Sequence, residues 1–227
     1  MTADLHARVW AALGTVLDPE IDEPITDLDF VESCTVSDDG VARVRLRLPT
    51  FYCAPNFSYL MVADAHEAVG AVDGVTRAEV TLLDHHASDE INAGVAAEVG
   101  FAQTFVGEAT GELHALRTSF LRKAALAGQD RVARPLVNAG YMPETLAGLT
   151  LGEVPGSPDL DRLRRRRAAA GLPVGDDAPL LLHPDGSRVT TAQVPLHLRR
   201  ARLTQVSIDA NGGNCRDLLE KRYAATS

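Results

Sequence analysis

Leu5, Val9, Ala12, Leu13 and Val16 recur at three- and four-residue spacing, which predicts an amphipathic helix over residues 4–17. Pro19 disfavours helical backbone at the residue before it, so the helix is expected to stop there. LDPEIDEPITDLDFV follows, an acidic stretch with two prolines, and reads as a loop. VESCTV and VARVRLRLP then flank Ser37-Asp38-Asp39-Gly40, a turn signal between two β-rich runs, and predict a β-hairpin. In its second arm Val44, Leu46 and Leu48 alternate with Arg43, Arg45 and Arg47, so one face is buried and the other solvated. Residues 50–55, TFYCAP, form a loop, and Pro55 suits the first turn of a helix. SYLMVADAHEAVGAV continues at helical period as far as Asp73-Gly74, and VTRAEVTLL is a third strand. The order α-β-β-α-β predicts a small α+β sandwich domain with helices on one face of a sheet.

The remainder of the chain has a different texture. Helices are expected over 88–106 and 110–127, the second with Leu113, Leu116, Phe120 and Ala124 at helical spacing. GLTLGEVPGSP is a Gly/Pro-rich break, and DLDRLRRRRAAAG a short basic helix closed by Gly171. PLLLHPDGSRVT reads as a hairpin about Asp185-Gly186. A helix near 191–201, a strand at LTQVSI, and a turn at Asn211–Asn214 leading into a last helix complete the expectation. Residues 1–90 are thus read as one domain and 91–227 as a mixed, mainly helical extension.

Charge sharpens that division. The net charge of −9 is the sum of −12 over residues 1–95 and +3 over 96–227. An acidic first half repels phosphates and argues against nucleic acid as its partner. The basic run at 162–167 has no interleaved aromatics, so a solvated helix face or interaction surface suits it better than nucleic-acid stacking. No apolar run approaches the length of a membrane span, and the first residues lack signal-peptide order, so a cytoplasmic protein off the membrane is expected. Three widely spaced cysteines, Cys34, Cys53 and Cys215, do not form a disulfide framework.

Four places could carry chemistry. Cys53 sits in a loop just before a predicted helix, where unpaired backbone N–H groups favour a thiolate that binds metal or attacks electrophiles. The same position also suits a buried structural cysteine. Asp18-Pro19-Glu20 places carboxylates in one loop, able to hold a cation, orient a partner or cap amides. At the end of the third strand stand Asp84, His85 and His86; if the strand continues, only His86 shares a face with Asp84. A surface turn is the plainer reading there. Cys215, after Gly212-Gly213, would sit at a helix start as a second thiol site, in a phosphate-cradling turn, or simply as a packed cysteine in a tight turn. Cys34 reads as core. The chain has no G-x-S-x-G elbow, CxxC pair or HExxH motif.

Asp18, Pro19 and Glu20, then Asp27-Leu28, then Thr50 and Cys53 ahead of a helix resemble the metal–sulfur cluster assembly domain family, SufT/PaaD-like, over roughly residues 4–90. That family usually shows Thr, three residues, then Cys-Pro. Here two residues separate Thr50 from Cys53, and Ala54 precedes Pro55. The resemblance implies an accessory maturation factor, more an assembly protein than an enzyme. Such a factor helps load iron or an iron–sulfur cluster, held transiently, into a client metalloenzyme such as a di-iron monooxygenase. Cys53 would contact the metal, with His86 and Asp84 as further ligands; Asp18, Glu20 and Thr50 would shape the loop, and residues 91–227 would recognise the client. Dimerisation would bring two Cys53 thiols together. Two other readings stay open. One is a metal-free chaperone or adaptor for an oxygenase subunit. The other is a metal-dependent enzyme using Asp84, His86 and Cys215.

Overall fold

The structure is a computed structural model, and it describes residues 2–107 and 113–224. In chain order the elements are α1 (Thr2–Leu13), β1 (Val31–Val36), β2 (Val41–Leu46), α2 (Pro55–Gly70), β3 (Arg77–Leu82) and α3 (Ser88–Ala96). There follow α4 (Phe101–Thr104), α5 (His114–Asn138), α6 (Pro143–Gly148), α7 (Pro158–Ala169), a 3-10 turn at Thr191–Gln193, and α8 (Val194–Tyr223). The α+β class and the α-β-β-α-β order are as the sequence predicts. Residues 110–112 of one expected helix lie outside the described residues. No helix among the described residues is long and apolar enough to cross a membrane.

The chain divides into two compact units, residues 1–113 with 210–227, and residues 114–209. In the first unit the sheet order is β1-β2-β3, with β1 antiparallel and β3 parallel to β2. The parallel pair requires a crossover, and α2 supplies it. Ala42, Val44 and Leu46 point into the core, while Arg43 and Arg45 face outward. Arg43 pairs with Glu79 across the strands at 2.8 Å. The core joins Val9 and Leu13 of α1, Val62, Ala65 and Val69 of α2, and Ile91 and Val95 of α3. It therefore extends past residue 90, and it also takes in Leu219 from α8. The hairpin turn demands Gly40: its φ is +82°, and a Cβ there would come 2.5 Å from the Gly74 carbonyl.

Helix α1 ends four residues earlier than its periodicity suggests. The backbone beyond it is recruited elsewhere: Ile25 N–H donates to the Val16 carbonyl, and Leu17 bridges to Pro24. That pairing pins the Asp18–Glu23 loop against the core.

The second unit has its own core, with Val132, Leu136, Leu146, Leu151, Leu163, Leu180 and Val194. Its irregular 179–190 segment gets partners from side chains. The Gln129 amide both accepts from Leu182 N–H at 2.8 Å and donates to the Leu182 carbonyl at 3.0 Å, in the manner of a neighbouring strand. His197 Nε2 donates to the same Gln129 oxygen at 3.0 Å. Arg167 is fully buried and donates to the Pro179 and Leu180 carbonyls. One member of the basic run is thus an internal brace. Arg164, in the same run, donates to the Val174 carbonyl and pairs with Asp176.

The strand expected at LTQVSI and the turn expected at Asn211–Asn214 are both helix, inside α8. The buried positions explain why. Ala201, Gln205 and Ile208 are buried at helical spacing, while Leu203 and Val206 stay exposed. Gly212 and Gly213 continue the helix. Gly212 allows it a close approach: a Cβ there would lie 3.1 Å from Ile21 Cγ2.

Candidate functional site

Three loop regions of the first unit are met by the last part of α8. The first runs from Asp18 to Glu23. The Asp18 carboxylate accepts the N–H groups of Glu20 at 2.9 Å and Ile21 at 2.8 Å. Aspartate does this readily because its short side chain reaches its own backbone two and three residues on. Asp22 sits at φ +59°, which closes the turn. Asp18 is buried, and that burial raises its pKa; the two N–H donors oppose the shift, and Glu20 and Glu23 reinforce it. Ile21, Ile25 and Leu28 anchor the segment in the core.

The second loop carries Cys53. Its sulfur is half-buried and lies 3.4 Å from the Thr50 hydroxyl. Ala54 caps α2 with extended backbone and Pro55 opens the helix, so Cys53 stands immediately ahead of the helix start. Beside it Phe51 and Tyr52 meet edge to face, and Tyr52 is 78% exposed.

The third loop follows β3. That strand ends at Leu82, and Asp84 takes φ +47°. The alternation of faces used to pair His86 with Asp84 therefore does not extend to them. His86 Nδ1 donates to the Phe51 carbonyl at 3.0 Å. The Asp84 carboxylate lies 3.4 Å from the Tyr223 hydroxyl, which donates to it, and the Asp84 carbonyl accepts from Arg222.

His85, not singled out by the sequence, is the histidine that touches the Cys53 loop. Its Nε2–H donates to the Cys53 carbonyl at 2.7 Å and toward the Ser58 hydroxyl at 3.2 Å. Its Nδ1 accepts Ala87 N–H at 3.1 Å. This bonding assigns a neutral ring. Burial lowers its pKa most, the Cys53 carbonyl works against that, and His86 and Arg222 add to it. Protonating Nδ1 would set two donors against each other.

The last part of α8 lies on these loops. Arg216 pairs with Glu23, and Arg222 donates to the Leu48 carbonyl at 2.9 Å. Tyr223 receives the Arg47 guanidinium on its ring face at 5.0 Å. Cys215, half-buried, is pushed up to about 11, first by burial and then by the charges of Asp18, Cys53 and Glu20. Asp18, Cys53 and Glu20 thus each bear on Cys215. Among the described residues, no three His, Cys, Asp or Glu side chains are grouped so as to hold a metal ion.

Two signals were available for the missed residues. A histidine doublet just after a strand leaves open which ring turns inward. Leu219, Arg222 and Tyr223 sit at helical spacing from Cys215, but nothing local ties them to a loop 170 residues earlier.

Known proteins carry the same segment. The family described as iron–sulfur cluster assembly protein matches residues 6–82. An uncharacterized protein of Methanocaldococcus jannaschii is 33% identical over 81 residues, which cover 36% of this chain and 83% of that protein. The chain belongs to this family. Its family segment is also 37% identical over 79 residues to an iron–sulfur cluster carrier protein of Mycobacterium tuberculosis, covering 35% of this chain and 20% of that relative. The crystal structure of a domain of unknown function, DUF59, from Bacillus anthracis matches 36% of this chain and 76% of its own. Its TM-score is 0.34 and its identity 22%.

Proposed function

We propose that this chain carries an iron–sulfur cluster, or iron destined for one, as cargo for a client metalloenzyme, with the Cys53 thiolate as its contact. Family membership supports cluster handling. The observation that carries the role of Cys53 is its placement: half-exposed, hydrogen-bonded to Thr50, and immediately ahead of the start of α2. Few protein ligands hold a cargo loosely, whereas four close a site for good. His85 and Thr50 fix the loop from below, so the sulfur is presented at a defined position. A di-iron monooxygenase is one client class this reading covers. Asp84 and His86 stand beside the loop and would meet the client rather than the sulfur.

Anaerobic reconstitution with ferrous iron and sulfide tests this. The wild-type chain is expected to develop sulfide-to-iron absorbance that Cys53→Ser largely loses. Equal loading of the two would overturn the role given to Cys53.

A second reading has one observation in its favour. Phe51 and Tyr52 expose aromatic surface next to Cys53, as a docking rim would. A metal-free adaptor would use that rim alone. Co-purification with a client that survives Cys53→Ala but is lost in Tyr52→Ala would favour it.

A further inference from the structure

The family segment ends at residue 82, yet a helix from far outside it returns to the Asp18–Glu23 loop and to Leu48, just ahead of Thr50 and Cys53. The helix bearing Cys215 is fixed to the motif loops on both sides of that residue. One turn before it, Gly212 lies against Ile21 and Glu23. Next to it, Arg216 pairs with Glu23. Beyond it, Leu219 is buried in the first unit's core, and Arg222 holds the carbonyl of Leu48, two residues before Thr50. Cys215 lies on the helix face of Gly212, Arg216, Leu219 and Arg222, between the contact with the Asp18–Glu23 loop and the contact with Leu48. Cys53 and Cys215 accordingly pack against the same core.

We infer that Cys215 is the second protein sulfur of the cargo site, forming with Cys53 a two-thiolate clamp for a thiophilic cation or cluster. This rests on the proposed role of Cys53 and extends it. Two sulfurs from the chain leave further coordination positions for donor and recipient proteins, which suits transfer rather than storage. Binding a divalent ion replaces one proton on each sulfur; both protons leave to solvent and no electron moves. The buried Asp18 carboxylate adds negative charge near Cys215.

Cadmium ion is a suitable probe, because it binds thiolates without redox chemistry. The reduced, full-length chain is loaded anaerobically with one equivalent. X-ray absorption at the cadmium edge counts sulfur neighbours, and a weakly buffered titration counts released protons. The wild type is expected to give two sulfurs and about two protons, and both Cys53→Ser and Cys215→Ser one sulfur each, with Cys34→Ser unchanged. One sulfur in the wild type overturns the clamp without needing any variant to fold. Two sulfurs retained in Cys215→Ser overturn it as well, and would mean that Cys53 thiols of two chains meet. Cys53→Ser with an unchanged sulfur count would instead overturn the reading of Cys53 itself.

Discussion

The Cys215 thiol offers a quantitative check on the site. An ordinary thiol at 9.0 is about one-tenth ionised at pH 8, and one pushed up to about 11 is about one-thousandth ionised. The thiolate population therefore falls about a hundredfold. A more basic thiolate is also a better nucleophile, with a Brønsted slope near 0.45, which returns about eightfold. The net expectation is alkylation roughly ten times slower than for an unperturbed thiol, before half-burial slows it further. Site-resolved mass spectrometry of the folded chain treated with iodoacetamide reads this directly, with a free cysteine peptide as reference. The pH dependence is the sharper test. The Cys215 rate should rise about tenfold per unit through pH 10, where an ordinary thiol has levelled off. Asp18→Asn removes one of the charges that hold the proton, although not the larger effect of burial, and should bring part of the rate back. A Cys215 rate that levels off near pH 9 would refute both the burial and the charged neighbourhood assigned to it.

Other outcomes follow from the same physics. Burial, with the charges of His183, Arg167 and Arg200, holds His197 down to about 4, against an ordinary 6.5. The unfolded chain then binds more protons between those values. Stability of the second unit is full above pH 6.5 and falls by about 3 kcal/mol as pH drops toward 4; urea denaturation across that range should show the loss, and His197→Gln should flatten it. Gly40→Ala forces a Cβ at positive φ against the Gly74 carbonyl and should cost about 2–3 kcal/mol in thermal or chemical unfolding. Arg167→Met leaves the Pro179 and Leu180 carbonyls without their donor and should cost about 2–5 kcal/mol, read by the same unfolding assay.

Much of the first unit is written in short-range pattern. Alternation in VARVRLRLP marks the buried face of β2, Gly40 marks the turn, and Pro55 marks the start of α2, because each is a local constraint on backbone or burial. The motif residues Asp18, Thr50 and Cys53 could be named for the same reason: loop chemistry shows in residue type and spacing. The inward turn of His85 was hidden, since it depends on Asp84 leaving the strand at positive φ. The helix through LTQVSI was hidden too. Its valine and isoleucine favour strands on propensity, and only the burial of Ala201, Gln205 and Ile208 at helical spacing decides otherwise. Long-range returns have no local signature. Glycines at 212 and 213 read as a turn, yet Gly212 serves close packing against Ile21.

The order in which the ribosome releases these pieces has a consequence. Asp84 is 139 residues ahead of Tyr223, its partner, so at ordinary synthesis rates the motif loops emerge on the order of ten seconds before the helix that covers them. During that interval the core lacks Leu219, and Glu23 and the Leu48 carbonyl lack their arginine partners. The motif loops are therefore settled against the rest of the first unit only once α8 has followed them.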